Sequence, residues 1–250
     1  MAGLLSLNTS TSLTSAAMVV RKATCDDLEG IMNVVLNAMP QDPAWDYRFP
    51  HRKEYPEDER KFQTLFFEFL IDPSYEDFEV RVLGTPRDDD AGKSIIAAVA
   101  VWDVTYLNKR RNGPDYVTKH PAGAVNDAGG TSRLDANFAH MRAFREAGAA
   151  AKKKYFDGRF GFQQLHLQIL GTHPDYQRRG LGSALCKWGM ERAKKDDVAV
   201  SLLASPMGAK LYSSLMFEDL GEVIVQVLGE NESVVLRPMS YNPKDYTSVV

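Results

Sequence analysis

The stretch LHLQILGTHPDYQRRGLGS, residues 165–183, decides how this chain folds. Leu165, Leu167 and Ile169 alternate with His166 and Gln168, which is the period of a strand. Pro174 ends the run, because it has no N–H to give to a sheet ladder. Gln177-Arg178-Arg179-Gly180-Leu181-Gly182 follows. Leu181, Ala184, Leu185, Trp188 and Ala193 then recur at roughly helical spacing. The pattern predicts a strand, a tight glycine turn and a helix whose first turn is basic and poor in side chains. The first N–H groups of a helix have no partner within it and carry partial positive charge, so such a turn suits a phosphate-type anion. Gly180 and Gly182 let a ligand approach the backbone, and Arg178 and Arg179 add charge for a diphosphate. The bland alternative is a helix start with two surface arginines; the strand upstream and the spacing from Gln177 weigh against it.

Gln177-x-x-Gly180-x-Gly182 matches the Q/R-x-x-G-x-G/A signature of the GNAT superfamily of N-acetyltransferases. Leu170-Gly171-Thr172-His173-Pro174 resembles the L-A-V-x-P that precedes that signature, and Leu211–Phe217 (LYSSLMF) resembles the family's L-Y-x-x-L-G-F. The resemblance runs over residues 18–237 and is strongest over 165–217. Met216 stands where the family usually has Gly, and Ser205 where it usually has an Asn that helps hold the cofactor arm. The resemblance implies an α/β (α+β) GNAT fold: a central, mixed, twisted sheet of about seven strands flanked by helices. It implies acetyl-CoA as cosubstrate. Leu170, Gly171, Thr172, Gln177, Arg178, Arg179, Gly180, Leu181, Gly182, Ser183 and Ser205 would hold it, with two strands splayed so that backbone groups near Leu170 and Thr172 reach the pantetheine arm. The style of the segment resembles fungal members, and a homodimer is in keeping with the family's habits.

Composition sets the outer bounds. At 250 residues, 44% apolar and 25% charged, the chain can bury one sizeable core. A net charge of −3 argues against a dedicated nucleic-acid binder, and no apolar run is long enough to span a bilayer. Cys25 and Cys186 read as two reduced thiols of a cytoplasmic protein, and neither they nor the five histidines show metal-ligand spacing, so no metal is expected.

Taken in order, residues 1–17 read as a disordered tail, residues 18–240 as one domain and residues 241–250 as a loose end. Met18–Arg21 is an expected first strand. Thr24-x-x-Asp27 is a helix-capping signal, and Leu28, Ile31, Met32, Val35 and Leu36 give the helix behind it. Met39–Tyr55 reads as a loop, whose Trp45, Tyr47 and Phe49 either plug the core or wall the acceptor site, as the same loop does in the resembled family. Glu57–Ile71 is a second helix. Phe78–Leu83 and Ser94–Val104 are strands, with an exposed turn over 84–93. Residues 103–160 form an insertion, with an expected helix over 135–156, that either covers the acceptor end of the sheet or elaborates the surface. After the central helix come a strand over 198–203, a short helix over 206–215 carrying Tyr212, and a closing hairpin over 217–237, with a loose tail from Pro238.

Acetyl transfer from a thioester to an amine needs a base for the amine proton, donors for the oxyanion and an acid for the leaving thiolate. His166 has an unperturbed pKa of ~6.5, which suits a general base; its alternative is a hydrogen-bonded core histidine. His166-Leu167-Gln168-x-Leu170 resembles the H-L-H-x-L strand of serotonin N-acetyltransferases, in which both histidines are implicated in proton removal. Gln168 replaces the second and can hold only a water or the substrate. Tyr212, at the family's L-Y position, is the candidate acid, with packing as its alternative. Asp103 is a second base candidate that reads more simply as a surface carboxylate. Cys186, inside a helix, is a poor nucleophile. The expected activity is transfer to a small amine by direct attack in a ternary complex. The rivals are O-acetylation, protein N-acetylation and a catalytically silent acyl-CoA-binding module.

Overall fold

A computed structural model describes residues 19–87 and 90–246. The tail expected over 1–17 lies outside the described residues, as do residues 247–250. In chain order the elements are β1 (Val20–Lys22), α1 (Leu28–Ala38), α2 (Pro43–Arg48), α3 (Pro56–Ile71), β2 (Phe78–Arg87), β3 (Asp90–Asp103), α4 (Thr105–Asn112), α5 (Ala122–Asp127), α6 (Phe138–Ala151), α7 (Gly158–Phe160), β4 (Gln164–Thr172), α8 (Leu181–Asp196), β5 (Ala199–Ala204), α9 (Ala209–Ser214), β6 (Glu218–Asp219), β7 (Val223–Gln226) and β8 (Ser233–Tyr241). A π-helical turn, Lys152–Asp157, joins α6 to α7.

The strands form one mixed sheet in the order β1-β2-β3-β4-β5-β8-β6, with β7 also pairing β8. β4 and β5 are parallel and joined by α8, while the other pairs are antiparallel. β3 is apolar on both faces because both are covered. On one face Ala98, Ala100 and Trp102 pack with Leu165, Leu167 and the α8 residues Leu185, Cys186 and Ala193. On the other, Val99 and Val101 pack with Ile31 and Val35 of α1 and Phe67 and Leu70 of α3. Gly189 lets α8 sit on the sheet, since a Cβ there would fall inside the Trp102 ring. Gly189→Ala is therefore expected to overpack this seam and to destabilise the fold by about 1–3 kcal/mol, read as a lowered urea midpoint.

The first helix starts as its sequence predicts. The Asp27 carboxylate accepts from the Thr24 N–H at 2.9 Å and from both ends of the Arg21 guanidinium at 2.6 Å. Three expectations are corrected. The loop over 39–55 contains α2, because Asp42 caps it by accepting from the Ala44 N–H at 2.8 Å and Pro43 fits the first helical position. β2 and β3 extend well into the stretch expected as a turn. The sheet has eight strands, in line with the expected count of about seven, the closing hairpin being divided into β6, β7 and β8. The tail expected to loosen from Pro238 instead continues as β8 to Tyr241, with Pro238 opposite Leu203 of β5. Pro238 is tolerated because the regular ladder on that flank is interrupted there, β7 pairing β8 only over Ser233–Leu236 and β6 only at Met239 and Ser240, and the bond made at Pro238 uses its carbonyl, which accepts from the Leu220 N–H at 2.9 Å.

Candidate active site

β4 carries two irregularities that build the site. Ile169 pairs with Val101 and Leu167 with Trp102, so Gln168 is left over as a bulge and is exposed. Pairing with β5 runs from Gln164–Ala199 to Leu167–Leu202 and stops there. Beyond that point the two parallel strands part, and the β5-facing backbone groups of residues 168–172 are free of sheet pairing. A cleft opens in the middle of the sheet, with the glycine turn at one end of β4 and His166 at the other.

His166 is the register partner of Asp103 on β3. Both face a cavity of about 300 Å³ whose wall also includes Tyr106, Lys152, Asp157 and Gln164. The insertion therefore covers this end of the sheet: α4 and the π turn after α6 supply the wall, and Phe156 lies with its ring centre 5.8 Å from the His166 ring. His166 is 7% exposed. Burial, helped by the Lys152 charge, pulls its pKa down to about 3, so the ring is neutral at working pH. Its Nδ1 lies 2.7 Å from Ser201 Oγ, which donates to Gln164 Oε1 at 2.8 Å. Asp103 is corrected from a surface carboxylate to a cavity group. It accepts from the Thr105 N–H at 2.9 Å, and burial raises its pKa.

At the other end, Arg178 and Gly180 both adopt left-handed backbone, at φ 62° and 84°. Gly180 is the N-cap of α8, and the first helical hydrogen bond comes from Ala184 N–H to Gly180 O. The N–H groups of Leu181, Gly182 and Ser183 are thus left for an anion at the head of a 16-residue helix. No atom lies within 4 Å of a Cβ built on Gly180, so the space over the turn is open. Gln177 ties the turn to β4 by donating to the Thr172 carbonyl at 3.2 Å. Arg178 and Arg179 are exposed; Arg179 donates to the Asp175 carbonyl at 2.8 Å. Gly182 sits where Thr172, Leu170 and Leu211 of α9 converge, at 3.5–3.8 Å from its would-be Cβ. Gly171 is backed by Met39.

α9 delivers Tyr212 beside this junction, packed on Phe217 and Gly208. Burial, with Cys186 and Asp42 acting in the same direction, raises its pKa well above the usual 10, so it stays protonated. Ser205, half-buried at the end of β5, uses its carbonyl to start α9, accepting from the Gly208 and Ala209 N–H groups at 3.0 and 3.1 Å. Cys186 is buried, with its thiol pushed up to about 12, a poor nucleophile as its helical position implied.

Trp45, Tyr47 and Phe49 are corrected from a possible acceptor wall to core plugs. All three are buried: Trp45 donates to Glu59 at 3.1 Å, Trp45 and Phe49 join the core under α1, and Tyr47 stacks on His140 at 4.0 Å. Sequence reasoning missed Gln164, Ser201, Asp157 and Lys152. One signal was available: Ser201 is the lone polar residue in the run AVSLLA of β5, yet it is wholly buried. Among the described residues no group of three or more His, Cys, Asp or Glu is placed to hold a metal ion, and no helix is long and apolar enough to cross a membrane.

The comparisons with known proteins agree with this architecture. The family model described as "Acetyltransferase (GNAT) family" matches residues 138–212, from α6 through β4 and the glycine turn to Tyr212. A protein of Stachybotrys chartarum called "Acetyltransferase" is 25% identical over 226 residues, covering 90% of this chain and 91% of its own. Among solved structures, a histone acetyltransferase HPA2 and related acetyltransferase from Corynebacterium glutamicum is 20% identical, with a TM-score of 0.54 over 91% of this chain and 97% of its own. A Drosophila melanogaster polyamine N-acetyltransferase is 15% identical, with a TM-score of 0.53 over 90% of this chain and 100% of its own. The mosquito arylalkylamine N-acetyltransferase-like 5b is 19% identical, with a TM-score of 0.52 over the same shares. The cleft sheet, the glycine turn and the match to the GNAT acetyltransferase family model fall on the same residues, so the chain is similar to GNAT acetyltransferases over the segment that builds this site.

Proposed function

We propose that the protein transfers acetyl from acetyl-CoA to the amine of a small molecule, by direct attack in a ternary complex. The observation that carries this reading is one strand, β4, joining an open anion turn to a histidine-walled cavity of about 300 Å³. That volume is at the small end of the range for small-molecule pockets and suits a small acceptor better than a protein tail.

The residues present fit acetyl-CoA. The Leu181, Gly182 and Ser183 N–H groups would hold its diphosphate, and the unpaired backbone of residues 168–172 would hold its pantetheine arm. Bound there, acetyl-CoA supplies an activated acyl carbon. His166 is neutral before the amine attacks, and its ring takes the amine proton as the new bond forms; burial alone makes it a weak base, so the charge developing on the attacking amine has to favour that transfer. Asp103 holds the amine in the cavity, where it attacks in its neutral form once its ammonium proton has passed to solvent, and Gln168, exposed at the bulge, orients acceptor or water. Tyr212 retains its proton and gives it to the departing sulfur.

Thiol release from acetyl-CoA against a panel of small amines and alcohols tests the reading, with cosubstrate binding followed by titration calorimetry. Amine-dependent release is expected. Release with alcohols alone would convert the reading to O-acetylation, and binding without turnover would favour the silent module. Gly180→Ala is expected to raise the acetyl-CoA Kd roughly tenfold, by straining a left-handed position at a cost of about 1–2 kcal/mol and crowding the open space above it. Unchanged calorimetric affinity would remove the turn from the binding site.

A further inference from the structure

We propose that Ser201, with Gln164 and Asp157 behind it, is a positioning residue that locks the neutral His166 ring in one tautomer, Nδ1 protonated and Nε2 bare toward the cavity. The proposal rests on the reading of His166 as the base, because only a bare Nε2 can accept the acceptor's proton.

The direction of every bond in the chain follows from counting hydrogens. The Gln164 amide nitrogen lies 2.9 Å from Asp157 Oδ1 and 2.7 Å from the Gly161 carbonyl. Both are acceptors, so the two amide hydrogens are spent there and the amide cannot be turned over. Its Oε1 is therefore the atom facing Ser201 at 2.8 Å, and Oε1 cannot donate. The single Ser201 hydroxyl hydrogen must go to it. Ser201 Oγ then has only lone pairs to offer His166 Nδ1, 2.7 Å away, so Nδ1 must carry the proton. The ring lines the cavity, and Nε2 has no hydrogen-bond partner among the described residues. Asp157 is held in turn by Lys152 at 2.6 Å.

The chain is anchored in rigid elements. Ser201 and Gln164 lie on β5 and β4 where those strands are still paired, His166 being opposite Ser201, and both are buried. Among the described residues Ser201 Oγ is the hydrogen-bond partner of Nδ1. A simple packing role would require Ser201 to satisfy hydrogen bonds but would not depend on which nitrogen carries the proton. In serine hydrolases, holding the wrong histidine tautomer costs about 10⁴ in kcat, which sets the upper limit for such a device.

The test uses the full chain labelled with ¹⁵N-histidine. Two-bond nitrogen–proton correlation spectra at neutral pH assign the His166 tautomer, with His166→Gln identifying its signals. A proton on Nδ1 of the wild-type protein is expected; a ring protonated on Nε2 would overturn the proposal without any variant. In Ser201→Ala the ring should shift towards the Nε2-protonated form and kcat should fall 10- to 100-fold. The KM for acetyl-CoA should stay within about twofold, because the glycine turn is untouched. Ser201→Thr, which keeps a hydroxyl, should restore the wild-type tautomer and most of kcat. A Ser201→Ala protein that keeps both the tautomer and kcat would overturn the proposal. The spectra read the tautomer without turnover. A fully active His166→Gln enzyme would therefore defeat the base reading alone, and a wrong tautomer would defeat the positioning chain alone.

Discussion

His166→Gln should lower kcat by roughly 10²–10⁴-fold while leaving acetyl-CoA affinity within about twofold. Gln has similar reach and can still hydrogen-bond Ser201, but its amide nitrogen and oxygen take up no proton at working pH. The cosubstrate would be held at the other end of β4, by the turn at Gln177–Ser183, so its binding does not pass through residue 166. Steady-state kinetics paired with calorimetry on the same preparation check both halves. A loss of less than about threefold would move the base to Asp103, the other titratable group facing His166 across the β3–β4 pair. Asp103→Asn would then take the large kinetic effect.

Acidification should unfold the wild-type protein more readily than the same His166→Gln variant. Unfolded, His166 takes a proton near pH 6.5; folded, burial keeps it neutral down to about 3. Between those values the unfolded state binds the extra proton, so lowering the pH favours unfolding by ~1.4 kcal/mol per unit, which reaches roughly 3 kcal/mol by pH 4. Asp103 acts in the opposite sense: its raised folded-state pKa means that the folded form gains a proton first, which stabilises it as the pH falls. The difference between wild type and variant isolates the histidine. Urea midpoints at pH 7, 5 and 4 should fall more steeply for the wild type. Parallel slopes would mean that water reaches the ring and the cavity wall is not closed.

Residues whose roles were legible in the sequence share one property: their partners lie within a turn or two along the chain. The strand–turn–helix over 165–196, the Thr24–Asp27 start of α1 and the apolar strand over 95–102 follow from period, glycine placement and capping chemistry, which are local. The family resemblance rested on the same local run. The Asp42–Pro43 start of α2 was local too, and the aromatic residues after it drew the reading towards a loop instead. Asp103 looked like the end of a strand at the surface, because nothing near it in sequence shows that α4 and the π turn close over it.

The sequence by itself therefore determined the β4–turn–α8 unit, the mixed α/β class and the candidates His166 and Tyr212. Only the tertiary structure decided the rest. It buried Trp45, Tyr47 and Phe49, carried β8 through Pro238 and turned the insertion into a cavity wall. It also set Ser201 against His166 across 35 residues, and against Gln164 across 37. The physical reason is that periodicity records which face of an element is buried. The partner of a buried polar group is fixed by strand register and by what covers the sheet, and both arise from contacts between residues far apart in the chain.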